Sequence, residues 1–364
     1  MENKLLGNRK WGFDFIRSFA VILVLIAHFA KCLELFGFWG VELFFGLSGY
    51  LIGQILWRNY AYEENWGFKN ILNFWQRRWW RTLPNYYLFL FISIPFHFLI
   101  MKESLISFEN FFPFLIFSQN LVSRFATFYG VSWSLCIEEW LYLLFPIILF
   151  IYNKVISAKS VAFICTLITL ITASIIIREL LIQHGKSDWL RTITFSRLDA
   201  IVYGILIVFI EKNVIINHFI KKQLFYFGLV LIILPVIVKV SNNNYTFSEL
   251  RQNKYLLIAV PLGSALILPF VAAFNELKTS YKLFQTVITK LSQWTYAIYL
   301  CHIPITFTVY LILEHYRYND FLNTISKVIG FVLTILLSSL VYKYFELPLT
   351  NRRPKEIINL FSNN

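Results

Sequence analysis

Apolar stretches of roughly twenty residues recur along this chain, separated by short segments that hold most of its charge. At about 1.5 Å rise per residue such a stretch covers the roughly 30 Å hydrocarbon core of a bilayer, so the pattern predicts membrane-crossing helices. Ten of them fall near 13–33, 38–57, 83–101, 133–152, 160–183, 197–211, 223–240, 255–274, 293–313 and 323–345. None alternates with the period of two that barrel strands would show. The expected fold is all-α, a polytopic membrane protein with about ten transmembrane helices. No internal repeat or low-complexity linker divides it, so a single membrane domain over 1–364 is expected. The stretch 103–132 breaks the pattern. Its apolar core, FFPFLIF, is too short to span and holds Pro113, which suggests an interfacial or re-entrant element covering an outer cavity.

Composition agrees. The chain is 58% hydrophobic and only 15% charged, with mean hydropathy +0.61, whereas a soluble domain is about a quarter charged. The net charge of +13 does not imply a nucleic-acid partner, because most of it flanks the spans, where it orients the protein in the lipid bilayer. With a cytoplasmic N-terminus the inner segments carry twenty of the 33 Lys and Arg residues. Ten spans then bring both basic termini to the cytoplasmic side. MENKLLGNRK lacks a cleavable-signal pattern, so the first span is expected to be retained. The expected location is a bacterial inner or plasma membrane, as a multi-pass protein. Cys32, Cys136, Cys165 and Cys301 have no metal-type spacing, and no metal site is expected.

The ionisable residues inside the apolar stretches are the candidates for chemistry, since such groups are costly at membrane depth. Arg17 and His28 share the first span. Eleven positions apart, they fall within roughly 20° of one helix face and about 16 Å apart along the axis, with Asp14 on nearly the same face. A snorkelling arginine near the interface would account for Arg17 alone, but His28 is too deep to reach water by stretching. Arg77, Arg78 and Arg81 in FWQRRWWRTLPNYY precede the third span, with tryptophans 75, 79 and 80 among them. Forked guanidinium groups suit phosphate oxygens, and the indoles suit either a nucleotide ring or the headgroup layer; an ordinary positive-inside anchor would have the same composition. Toward the other side lie Glu42 ahead of FFGLSGYLIG, whose Gly46, Ser48, Gly49 and Gly53 admit a neighbouring helix or a ligand at close range. Glu138 and Glu139 open the fourth span, Arg197 and Asp199 the sixth, and His302 sits mid-span in the ninth. Helix-dipole complementation explains Glu139 but not Glu42 or Glu138, which lie well inside apolar runs. His302 is read equally well as a satisfied core histidine or as a binding group.

FDFIRSFAVILVLIAHF, VELFFGLSGYLIG, RRWWR, WSLCIEEWLYLLFP, RLDAIVYG, TYAIYLCHIPI and FELPLTNR occur in this order along nearly the whole chain. Together they resemble the acyltransferase 3 family of integral-membrane acyltransferases. The resemblance implies transfer of an acyl group, commonly acetyl, from cytoplasmic acyl-CoA as donor substrate, with no bound cofactor. The acceptor it implies is a hydroxyl, often on a surface polysaccharide or its lipid-linked precursor; some relatives act on small molecules. It assigns Arg17 and His28 to the essential pair, Arg77, Arg78 and Arg81 to the basic cytoplasmic motif, and Glu138 to the acid of the WSLxxE element. Many relatives carry a C-terminal extracytoplasmic esterase-like domain. The chain ends about twenty residues after its last expected span, so it is expected to act alone or with a separate extracytoplasmic partner.

The residues divide accordingly into expected roles. His28 serves as base toward the acceptor hydroxyl or as acyl acceptor, with Glu138 and Asp14 assisting. Arg17, Arg77, Arg78 and Arg81 hold the acyl-CoA. Glu42, Ser48, Arg197, Asp199 and His302 line the carbohydrate side. A transporter or flippase of polysaccharide units or acyl donors would show the same polar residues, although no inverted repeat or paired broken helices appear in the sequence.

Overall fold

The computed structural model describes residues 10–29, 34–100, 106–121, 127–241, 246–275, 281–314 and 320–357. Among them there are helices and no strand. Helices α1 (Trp11–Phe29), α2 (Glu34–Ala61), α3 (Phe68–Pro95), α4 (Phe108–Leu115), α5 (Ser132–Val155), α6 (Lys159–Gln183) and α7 (Leu198–Asn213) are followed by α8 (His218–Ser241) and the short α9 (Phe247–Gln252). Then come α10 (Leu256–Leu266), α11 (Leu268–Val271), α12 (Lys282–Glu314), α13 (Asp320–Val341) and α14 (Leu347–Thr350). The ten apolar stretches are helical over most of their described parts, with 255–274 divided between α10 and α11. Six segments are long and apolar enough to cross a membrane: Trp11–His28, Leu35–Ala61, Ser132–Val155, Lys159–Gln183, His218–Ser241 and Thr324–Thr350.

The helices cluster into two compact units interleaved in sequence. The first comprises residues 1–58, 156–191 and 196–293. Its core is formed by Phe13, Leu23, Leu43, Leu47, Tyr50, Tyr203, Ile207 and Ala265, supplied by α1, α2, α7 and α10. Glycines set how closely these helices approach. A Cβ on Gly49 would stand 1.9 Å from the Ile201 carbonyl oxygen, and one on Gly204 would stand 2.4 Å from that of Gly46. The small residues of FFGLSGYLIG therefore seat α2 against α7. Gly228 and Gly263 do the same for α8 and α10, each Cβ position 2.7 Å from the other's carbonyl oxygen. The start of α1 is held by carbonyls after α11, Gly12 N–H donating to Phe274 at 3.0 Å and Trp11 N–H to Asn275 at 3.3 Å. Helix α8 exposes Phe219, Tyr226, Val230, Ile233 and Ile237, an apolar face suited to lipid.

The second unit comprises residues 59–155, 192–195 and 294–364. Here α3 begins at Phe68, well before the expected span at 83, and runs through Pro84 to Pro95, where a π-helical turn, Phe96–Ile100, follows. Against it packs α5, with the Trp75 indole donating to the Tyr142 carbonyl at 2.9 Å. The segment 106–121 contains only the eight-residue α4, too short to span. It is tied down from both helices. Tyr86 and Tyr87 donate to the carbonyls of Phe114 and Leu115, each at 2.8 Å, and Trp140 donates to that of Phe117 at 2.7 Å. Phe117 takes φ 56°, and that backbone turn presents its carbonyl to α5.

Candidate functional site

In the first unit the polar residues form a string of buried contacts. Arg17 and His28 lie on the uninterrupted α1, about 16 Å apart along its axis. Arg17 Nη1 donates to Asp14 Oδ1 at 3.3 Å, and that same oxygen accepts from the Ser292 hydroxyl at 2.8 Å. Asp14 is buried while Arg17 keeps an edge open. The His28 side chain is exposed at its surface, yet surrounding protein desolvates it and the charge of Arg191 is felt there. Arg191 is also felt at Glu42, and its guanidinium lies 5.2 Å from the Phe38 ring centroid.

Glu42 and Arg197 are brought together in a fully buried ion pair, with Arg197 Nη1 also donating to the Leu257 carbonyl at 2.6 Å. Asp199 is held bidentately by Arg178, at 3.0 and 2.7 Å, and accepts from the Tyr203 hydroxyl at 3.0 Å. Arg178 donates further to the Ser196 carbonyl at 2.9 Å, and the Asp199 N–H donates to Ser174 Oγ at 3.2 Å. Both pairs are fully buried, but in the first Glu42 Oε1 and Arg197 Nε have no hydrogen-bond partner among the described residues. Ser48 is half-buried on α2. Sequence reasoning missed Arg178 and Arg191. The signal for Arg178 was present, an arginine inside the apolar run IIIREL. For Arg191 there was none, since it lies in a polar loop.

In the second unit Arg77, Arg78 and Arg81 lie on α3 before its apolar part. Arg77 Nη1 donates to the Pro354 carbonyl at 2.6 Å and Arg77 Nη2 stands 3.7 Å from Glu356. Arg78 is half-buried, 5.9 Å from the Phe74 ring centroid. Burial and the repulsion of Arg81, Arg353 and Arg77 push it down to about 10, still charged at neutral pH. One turn on, the Thr82 hydroxyl donates to Glu139 at 2.8 Å, Asn85 donates to Glu346 at 2.6 Å, and the Tyr296 hydroxyl donates to the Thr82 carbonyl at 2.9 Å. Glu138 accepts from the Tyr142 hydroxyl at 2.7 Å. Tyr296 feels the charges of Glu138, Glu139 and Glu346. Cations and carboxylates thus succeed each other along one helix. Glu139, assigned from sequence to the helix dipole, is the more buried of the acidic pair; Glu346 went unnoticed inside FELPLTNR.

His302 is buried on α12. Its Nδ1 lies 2.8 Å from the Tyr299 carbonyl, a geometry in which Nδ1 carries the proton and Nε2 is the basic nitrogen. Among the described residues no group of three His, Cys, Asp or Glu side chains could hold a metal ion.

O-acetyltransferase OatA of Staphylococcus aureus is 25% identical over 366 residues, covering 94% of this chain and 57% of that protein. A putative peptidoglycan O-acetyltransferase, YrhL, of Bacillus subtilis is 34% identical over 161 residues, covering 41% of this chain and 25% of that protein. A putative O-acetyltransferase of Staphylococcus aureus strain COL is 25% identical over 358 residues, 93% of this chain and 56% of that protein. The chain thus spans little more than half the length of the relatives it matches from end to end. No solved structure matches it. The family model described as an acyltransferase domain covers residues 10–343, so the chain belongs to the acyltransferase 3 family.

Proposed function

We propose that this protein transfers an acetyl group from cytoplasmic acetyl-CoA to a hydroxyl of a cell-envelope glycan, with peptidoglycan or its lipid-linked precursor as the favoured acceptor. The observation that carries this reading is the family match over both units, joined to a guanidinium cluster that α3 presents beside exposed tryptophans. The names of the relatives support acetyl as the group and a glycan as the acceptor. In the bilayer the chain crosses about ten times, with both termini and the α3 arginines on the cytoplasmic side.

Arg77, Arg78 and Arg81 bind the phosphates of the donor. Guanidinium forks meet phosphate oxygens two at a time, and Trp79 and Trp80 are exposed beside them for stacking on a purine. Arg17, oriented by Asp14, adds a further cation on α1. His28 takes the proton of the acceptor hydroxyl as that oxygen attacks the thioester carbonyl; the C–S bond breaks, and the thiolate leaves as CoA after protonation. An acyl-histidine formed first and passed on is the alternative route at the same residue. Glu138 and His302 serve the acceptor side. Glu42, Arg197 and Asp199 contribute by holding the helices, with acceptor contact a secondary role.

Purified protein in nanodiscs with acetyl-CoA and a soluble glycan acceptor tests the reading through thiol release and acetylated product. Release of CoA that requires His28 is expected. A protein that moves CoA or glycan across a vesicle wall without cleaving the thioester would be a carrier, and the proposal would fall.

A further inference from the structure

Beyond α14 the chain turns back along α3. The Asn73 amide donates to the Lys355 carbonyl at 2.9 Å, and Asn73 Oδ1 accepts from the Ile357 N–H at 3.3 Å. One turn further, Arg77 holds the Pro354 carbonyl at 2.6 Å and faces Glu356 at 3.7 Å. Three hydrogen bonds to the backbone and one side-chain ion pair hold 354–357 on the helix. Pro354 also restricts Arg353 to extended conformations, so this side chain leaves from a defined point beside Arg77.

We propose that this segment is a strap that completes the anion site, with Arg353 as its fourth guanidinium beside Arg77, Arg78 and Arg81, and that the site takes a ligand carrying at least two phosphate groups. The inference rests on the donor reading above and deepens it. Gathering four guanidiniums is unfavourable unless an anion joins them. Arg353 feels both Arg77 and Arg81, and burial and these neighbours lower its pKa despite Glu356 nearby. Of the carboxylates nearby, Glu356 stands 3.7 Å from Arg77, Glu346, near Arg81, accepts from Asn85, and Glu139, near Arg78, accepts from Thr82. Arg81 and Arg353 are exposed, so a ligand can reach the cluster. The strap lies past residue 343, where the family match ends, so nothing in that match assigns it a role.

Two phosphate-bearing ligands share this chemistry, a nucleotide such as CoA, with its diphosphate and 3′-phosphate, and a lipid headgroup with two phosphates, as in cardiolipin. Glu356 stands where a phosphate oxygen would meet Arg77, as a weak internal occupant that the ligand displaces.

The test uses the full chain in phosphatidylcholine nanodiscs, titrated calorimetrically with CoA and with dephospho-CoA, in parallel with retention of cardiolipin, a lipid with two phosphates, read by native mass spectrometry. Loss of one charge-assisted contact is worth about tenfold in affinity. Arg353→Ala should weaken CoA by about that factor with unchanged melting temperature, Arg353→Lys should recover part of it, and Glu356→Gln should tighten binding. Arg353→Gln replaces the alanine variant if that does not fold. CoA affinity within twofold of wild type in the Arg353 variants overturns the strap. If the wild-type protein binds no CoA but retains cardiolipin in an Arg353-dependent way, the strap stands with a lipid ligand and the donor reading fails. If it binds neither ligand, both fail.

Discussion

Replacing Arg178 by Met separates a structural Asp199 from one that handles acceptor. The guanidinium makes two charge-assisted bonds to Asp199, at 2.7 and 3.0 Å, and a third bond to the Ser196 carbonyl at 2.9 Å. Both side chains are fully buried. Methionine keeps the apolar stem but leaves the carboxylate with only the Tyr203 hydroxyl. Breaking one side of a buried pair costs about 3–5 kcal/mol, most of it from the charge left behind. For a chain of this length the unfolding entropy makes 1 kcal/mol worth a little over about 1 °C, so the melting temperature in detergent should fall by about 5 °C. The double variant Arg178→Met with Asp199→Leu removes the stranded charge and should recover most of that loss, with a coupling of about 2 kcal/mol or more. Thermal unfolding followed by tryptophan fluorescence reads all four corners of the cycle. An Arg178→Met protein as stable as wild type, or a double variant no better than the single, would refute a pair that holds α6 to α7. Wild-type stability with lost acceptor turnover in Asp199→Leu would instead put Asp199 at the substrate.

Other perturbations address other parts of the molecule. His28→Ala should abolish acetyl transfer while melting within about 0.5 kcal/mol of wild type, because its side chain reaches the protein surface; a thiol-release assay beside a melting curve checks both. Arg78→Ala should raise the Kd for acetyl-CoA about tenfold with acceptor affinity unchanged, measured by titration; an unchanged donor Kd would return Arg78 to anchoring. Gly49→Ala should destabilise by about 3 kcal/mol, since its Cβ would stand 1.9 Å from the Ile201 carbonyl oxygen, whereas Gly130→Ala, with nothing within 4 Å, should melt like wild type.

Apolar spacing alone located helical chain at the ten expected spans, six of them long and apolar enough to cross a membrane, but it did not show that 255–274 breaks into α10 and α11. It placed two helix starts late for one reason. At 68–82 and 282–292 the chain is amphipathic rather than apolar, and a hydropathy criterion begins only where the charges stop, although the backbone is already helical. Depth of charge found Glu42, Arg197 and Asp199, but pairing could not be read. Glu42 lies 155 positions from Arg197, and Asp14 lies 278 from Ser292, so only the packed helices determine these partners. The same argument should have flagged Arg178. Glu346 and Arg353 sit where ordinary flanking charge is expected, and only the fold over α3 sets them apart.

The Glu42–Arg197 pair also has a consequence for how the protein is made. Its two halves leave the ribosome 155 residues apart, on the order of ten seconds at the usual rates of synthesis. During that interval α2 carries a carboxylate whose partner does not yet exist, and Leu257, whose carbonyl accepts from the same arginine, comes later still. Arg178 and Asp199, only 21 positions apart, can meet as soon as α6 and α7 emerge as a hairpin. Biogenesis of the first unit therefore has an early local step and a late one, and α2 must be sheltered by the insertion machinery, or protonated, until the late one arrives.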